Sequence, residues 1–121
     1  AFEDKNVGIA TLGIKGVSRE ELNNYNRIKI VLDKQSNALY FSRSPIPNTD
    51  NAKAEVTETF DFYRHIGLYA YRKETLMELV NLEKTQLEQV ESLEQLRWLF
   101  NGYPIRVVET TLMFQKTSKR C

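Results

Sequence analysis

The stretch that most constrains the fold is Ala38 to Pro47, which runs A-L-Y-F-S-R-S-P-I-P. Alternation over Ala38 to Arg43 predicts a strand. The prolines that follow fix φ, remove backbone donors and push the residues before them out of helix, so the strand must run into a rigid loop over Ser44 to Asn51. A lone strand needs a partner, and the nearest is Arg27 to Asp33, where Ile28, Ile30 and Leu32 alternate with Lys29 and Val31. The polar run Lys34-Gln35-Ser36-Asn37 between them predicts a hairpin turn. By period-two parity Leu39, Phe41 and Arg43 share a side, so the stem of Arg43 packs while its guanidinium reaches the loop. A planar donor fork there suits a carboxylate or phosphate. An exposed strand-end arginine paired with Glu or Asp is the alternative that the residues leave open.

Around this hairpin the chain alternates between strand and helix signals. Val7 to Leu12 starts a strand, and Ser18-Arg19-Glu20-Glu21 has capping-box spacing, which predicts a short helix over Ser18 to Asn24. Phe62 to Tyr71 is aromatic and strand-like. Lys73 to Leu82 follows as a helix with Leu76, Leu79 and Val80 on one face. Thr85-Gln86-Leu87-Glu88 supplies a second capping box, and Leu87, Val90, Leu93, Leu96 and Leu99 recur every three residues, predicting one long helix that ends near Asn101-Gly102. Pro104 to Thr111 is a final strand. The result is about five strands and three helices in a mixed α/β arrangement with an antiparallel hairpin. The expectation is one domain over residues 1–121 that begins almost inside a strand, as a cut chain would.

Composition closes off several functions. With 17 Lys and Arg against 16 Asp and Glu, the net charge of +1 creates no field that gathers nucleic acid or anionic lipid. The apolar runs fall far short of the roughly 18 residues a membrane helix needs, and no signal peptide is present, so a cytoplasmic location is expected. One cysteine, Cys121, excludes an intramolecular disulfide and a cysteine metal site. No glycine-rich phosphate loop and no nucleophile elbow occur.

Two further places carry chemistry. His65, Gly67, Tyr69 and Tyr71 are expected on one strand face, with Gly67 leaving room between an imidazole and a phenol. The lone His65 is otherwise a hydrogen-bonded sheet residue, and it has no second ligand at metal-binding spacing. Glu94 and Gln95 flank the apolar stripe of the long helix and point toward a cleft at the edge of the core. Glu94 and Arg97, three apart, also form an ordinary helix-surface pair. Trp98, Phe100 and the leucines belong to core or subunit interface rather than to a stacking platform.

Three motifs in order, L-Y-F-S-R-S-P-I-P, Arg64-His65-Ile66-Gly67-Leu68-Tyr69-Ala70-Tyr71 and Leu93-Glu94-Gln95-Leu96-Arg97, resemble the CMP-Kdo synthetases, the 3-deoxy-manno-octulosonate cytidylyltransferases. The Arg27 to Asp33 strand and the G-Y-P-I-R-V strand are also similar, so the resemblance runs from about Val7 to Glu109. It implies a partial nucleotide-diphospho-sugar transferase fold and a homodimer. It also implies a nucleotidyltransferase reaction with CTP and Mg2+: the anomeric hydroxyl of Kdo attacks the α-phosphate, giving CMP-Kdo and pyrophosphate for lipopolysaccharide synthesis. By motif matching, Arg43, His65, Tyr69, Glu94 and Gln95 are the sugar-site residues. Arg43 holds the Kdo carboxylate or a hydroxyl, His65 and Tyr69 line the pocket, and Glu94 with Gln95 fixes hydroxyl orientation.

Two departures go with this resemblance. The family's R-x-x-S-x-R-x-P-x-K element, which handles the triphosphate, is not in the sequence, and neither is the D-T-P-E-D-like motif after the last strand. The magnesium ligands and the groups that handle the triphosphate are therefore expected to be lacking, so that the isolated chain does not turn over CTP. A non-catalytic sugar-acid binding or dimerisation module is the alternative. A homo-oligomer using the surface near Leu87 to Phe100 is expected. Codon degeneracy allows Leu112 to Cys121, shifted back by one base, to encode D-V-P-E-D-F, so residues 112–121 are expected to be an aberrant, frameshifted tail.

Overall fold

The computed structural model describes residues 2–49 and 60–110. Both capping boxes form. Ser18 accepts from the Glu21 amide at the start of α1 (Arg19–Leu22), while the Glu21 carboxylate accepts from the Ser18 amide. Thr85 and Glu88 make the same exchange at the start of α3 (Gln86–Glu91). Each box satisfies two amides that a helix start leaves without partners.

Five strands form a mixed sheet: β1 (Ile9–Lys15), β2 (Lys29–Leu32), β3 (Ala38–Ser42), β4 (Tyr63–Tyr71) and β5 (Ile105–Thr110). Their order is β3-β2-β4-β1-β5, antiparallel except for the β1–β5 pair. The expected hairpin is β2–β3. The sheet curls until the hairpin turn meets β5: Asn37 bridges Arg106, the Val107 amide donates to the Ser36 carbonyl at 2.8 Å, and Arg106 Nε donates to Asn37 Oδ1 at 2.7 Å. One sheet face buries Ile9, Ile30, Phe41, Ile105 and Val107 against Leu79 of α2 (Lys73–Leu79), Leu93, and Leu96 and Trp98 of α4 (Gln95–Phe100).

Three expectations are corrected. The long helix is two: α3 ends at Glu91, and the left-handed backbone of Ser92 (φ 59, ψ 45) turns the chain before α4. A step of three residues falls short of a full turn by about 60°, so four such steps carry Leu87 to Leu99 about 240° round a straight helix, and no single face holds them all. Leu93 and Leu96 are buried; Val90 is 79% exposed. The helix after β4 stops at Leu79, which is buried, while Leu76 and Val80 are exposed. Parity also fails in β3. An irregularity between Val31 and Leu32 pairs them with Tyr40 and Ala38, leaving Leu39 exposed while Phe41 is fully buried. Residues 50–59 and the proposed tail 112–121 lie outside the described residues.

Candidate functional site

The site is built on an irregularity in β4. Along β1, Leu12 pairs with Ile66 but the next residue, Thr11, pairs with Tyr69, so Gly67 and Leu68 are extra and bulge out. In a regular strand residues four apart lie ~13 Å from each other. The two-residue bulge removes most of that distance and keeps the parity, so His65 and Tyr69 arrive side by side with ring centroids 5.4 Å apart in an edge contact. Tyr71 stacks beyond Tyr69 at 5.9 Å, and Phe41 of β3 meets the other side of His65 at 5.0 Å. Gly67 does not sit between the imidazole and the phenol; it is exposed in the bulge, where a Cβ would meet no atom within 4 Å.

Trp98 of α4 meets Tyr69 and Tyr71 edge-on at 5.2 and 5.8 Å. Glu94 opens α4 one turn earlier, at the i, i+4 spacing that puts two residues on the same helix face. Burial raises the Tyr69 phenol well above the usual range, with Tyr71 and the Glu94 charge adding to the effect, and burial followed by Glu94 raises Tyr71. Burial lowers the His65 imidazole to about 4, so the ring is neutral at physiological pH. Gln95 is buried beside Glu94.

Among the described residues, neither the Tyr69 hydroxyl, the Gln95 amide nor His65 Nδ1 has a hydrogen-bond partner, yet no buried side-chain N or O is left both sealed and unpaired. The polar atoms of these three side chains therefore keep some contact with solvent.

Arg43 is placed differently. Its Nε donates to the Glu91 carbonyl at 3.1 Å, Nη1 to the Tyr25 carbonyl at 3.1 Å and Nη2 to the Ser92 carbonyl at 3.2 Å. It thereby clamps the corner between α3 and α4, two residues before Glu94. It makes no hydrogen bond or ion pair with His65, Tyr69, Glu94 or Gln95 among the described residues. The clamp is reciprocal: the Glu91 carboxylate accepts from Tyr40 Oη, Ser42 Oγ and the Arg43 amide at 3.1, 2.8 and 3.3 Å. Beneath it lies Lys29, 0% exposed, whose Nζ donates to the carbonyls of Asn24, Arg27 and Arg43 at 2.9, 2.5 and 2.5 Å.

Sequence reasoning missed Lys29, Glu91 and Thr11; the Glu94–Arg97 pair it expected forms, but Glu88 is the closer partner of Arg97. Arg97 forms a bidentate pair with Glu88 at 2.7 and 2.6 Å, and Glu94 stands 3.7 Å away. Glu88 already closes the Thr85 capping box, so one carboxylate ties the start of α3 to the middle of α4.

Among the described residues no three His, Cys, Asp or Glu side chains group as a metal site. No helix among the described residues is long and apolar enough to cross a membrane.

The profile of a family described as Cytidylyltransferase matches residues 1–110. A 3-deoxy-manno-octulosonate cytidylyltransferase of Bacteroides thetaiotaomicron is 52% identical over 111 residues, covering 88% of this chain and 44% of the relative. The protein of that name in Fusobacterium nucleatum is 43% identical over 109 residues, covering 90% of this chain and 42% of its own. A solved structure of CMP:2-keto-3-deoxy-manno-octonic acid synthetase complexed with CTP superposes with a TM-score of 0.80 at 38% identity, covering 90% of this chain and 43% of that one. The chain thus spans less than half the length of the relatives it matches.

Proposed function

Because the chain belongs to the cytidylyltransferase family, we propose that it forms the sugar-acid side of an enzyme that couples CTP to 3-deoxy-manno-octulosonate (Kdo). The single observation that carries this reading is the β4 bulge, which sets His65 beside Tyr69, while Tyr69 meets Trp98 of the helix that begins with Glu94 and Gln95. Their polar atoms suit a polyhydroxylated ligand. The neutral imidazole and the Glu94 carboxylate accept from hydroxyls, the Tyr69 hydroxyl both donates and accepts, and the Gln95 amide offers both kinds of group. Tyr69, Tyr71 and Trp98 supply an apolar wall. Arg43 holds the α3–α4 corner in place, and the remaining N–H of each terminal nitrogen contributes to the anionic end of the sugar. Magnesium, the cytoplasm and lipopolysaccharide synthesis go with the complete enzyme.

Titrating Kdo into the chain and following the single imidazole by NMR tests the reading. Saturable binding is expected, weakened at least about tenfold in His65→Ala and in Tyr69→Phe. With CTP, Kdo and magnesium the 121 residues are expected to release no pyrophosphate above an inactivated control. Failure to bind Kdo, or measurable turnover, overturns the proposal.

A homo-oligomer is part of the same reading. Val90 on α3 and Phe100 on α4 are 79% and 66% exposed, and Met77 and Val80 are exposed at the end of α2. Sedimentation at micromolar concentration is expected to give a dimer or larger species. A monomer there refutes the assignment.

A further inference from the structure

Thr11 is buried in the middle of β1, and its Oγ1 lies within hydrogen-bond distance of three groups: the carbonyl of Leu68 at 2.7 Å, the carbonyl of Ile66 at 3.1 Å and His65 Nε2 at 2.8 Å. A hydroxyl has one proton to give. Carbonyls only accept, so a proton directed at His65 would leave two oxygen lone pairs facing the Leu68 carbonyl across 2.7 Å with nothing between them. The proton therefore goes to the bulge carbonyls, and Oγ1 accepts from Nε2–H. In a neutral imidazole, protonation of one nitrogen leaves the other as an acceptor. That other nitrogen is Nδ1, which no described residue engages.

We propose that Thr11 is a positioning residue: it holds the β4 bulge closed and locks His65 in the Nε2-protonated tautomer, so that Nδ1 is presented as a hydrogen-bond acceptor to a sugar hydroxyl. The inference rests on the Kdo reading above for the identity of the ligand, but not for the tautomer. The burial that lowers the imidazole to about 4 keeps the ring neutral, as a tautomeric acceptor must be. The edge contacts of Phe41 and Tyr69 restrict the ring plane from both sides, so the threonine hydroxyl sets which nitrogen faces out. The same carbonyls explain why a threonine stands in the run Ile9 to Ile14, which is otherwise without polar side chains. Gly67 and Leu68 have no partner on β1, and the hydroxyl gives their segment the donor the ladder does not.

The chain has one histidine, so its ring nitrogens can be read directly by 15N NMR at neutral pH. Wild type and Thr11→Ser are expected to show protonated Nε2 and bare Nδ1. Thr11→Val, of similar shape but without the hydroxyl, is expected to lose that preference and to bind Kdo about tenfold more weakly. Protonated Nδ1 in the wild type overturns the proposal even if the valine variant does not fold. So does a Thr11→Val chain that keeps the wild-type tautomer, or one that binds Kdo as tightly as wild type. If the tautomer behaves as stated and Kdo binds none of the three chains, the positioning role stands and the Kdo reading falls.

Discussion

Lys29→Met is expected to lower the unfolding free energy by about 3 to 5 kcal/mol, a large fraction of what a domain of this size has. Methionine fills the same volume but donates nothing, so the carbonyls of Asn24, Arg27 and Arg43 are left in the interior without their shared donor. Each such loss costs about 1 to 3 kcal/mol. The Arg43 carbonyl belongs to the residue that clamps the α3–α4 corner, so the damage reaches the segment carrying Glu94 and Gln95. Urea denaturation measures it, and a change below about 1 kcal/mol contradicts this role for Lys29.

Glu88→Gln is expected to lower Tm by roughly 10 °C. The substitution removes the charge that Arg97 grips at two points and weakens the cap on the Thr85 amide. Glu94, at 3.7 Å and exposed, is a poor replacement. The same pair sets an acid limit. Hydrogen bonds from Arg97 hold the Glu88 carboxyl down to about 2 against the opposing effect of its burial. A carboxylate with a depressed folded pKa contributes stability that is complete above the ordinary value of about 4.5 and is lost as pH falls toward about 2. His65 gives an earlier window with the same sign. Its folded value of about 4 lies below the ordinary 6.5, so the unfolded chain takes up the proton first and stability drops as pH falls from 6.5 to about 4. Melting curves across pH 7 to 3 should show both losses in wild type and only the earlier one in Glu88→Gln. A wild-type and variant difference that stays constant from pH 5 to 3 counts against the Glu88 assignment.

What the sequence showed, it showed where the cause is local. Ser18 and Thr85 cap helices because their partners are three residues away, and the β2–β3 hairpin follows from two short alternating runs around a polar turn. The five residues proposed for the sugar site come from motif matching, and their arrangement could not be read from the sequence. The two-residue bulge exists only in the pairing of β4 with β1, more than fifty residues earlier, and neither strand announces it alone. Lys29 alternates with isoleucines and so looks exposed; three carbonyls from separate segments make its burial favourable. The break at Ser92 was legible in principle, since strict three-residue spacing drifts round a straight helix.

The meeting of the hairpin turn with β5 also bears on self-association. β3 and β5 are the outermost strands, and a row of unpaired amides on such a strand is the template on which a foreign strand adds and aggregates. Here the Val107 amide is already engaged by Ser36, and Arg106 sets a guanidinium held by Asn37 and Asp4 beside it. An intruding strand would have to displace a backbone bond and a paired charge to begin a ladder at that end. The curl of the sheet thereby guards its own rim there.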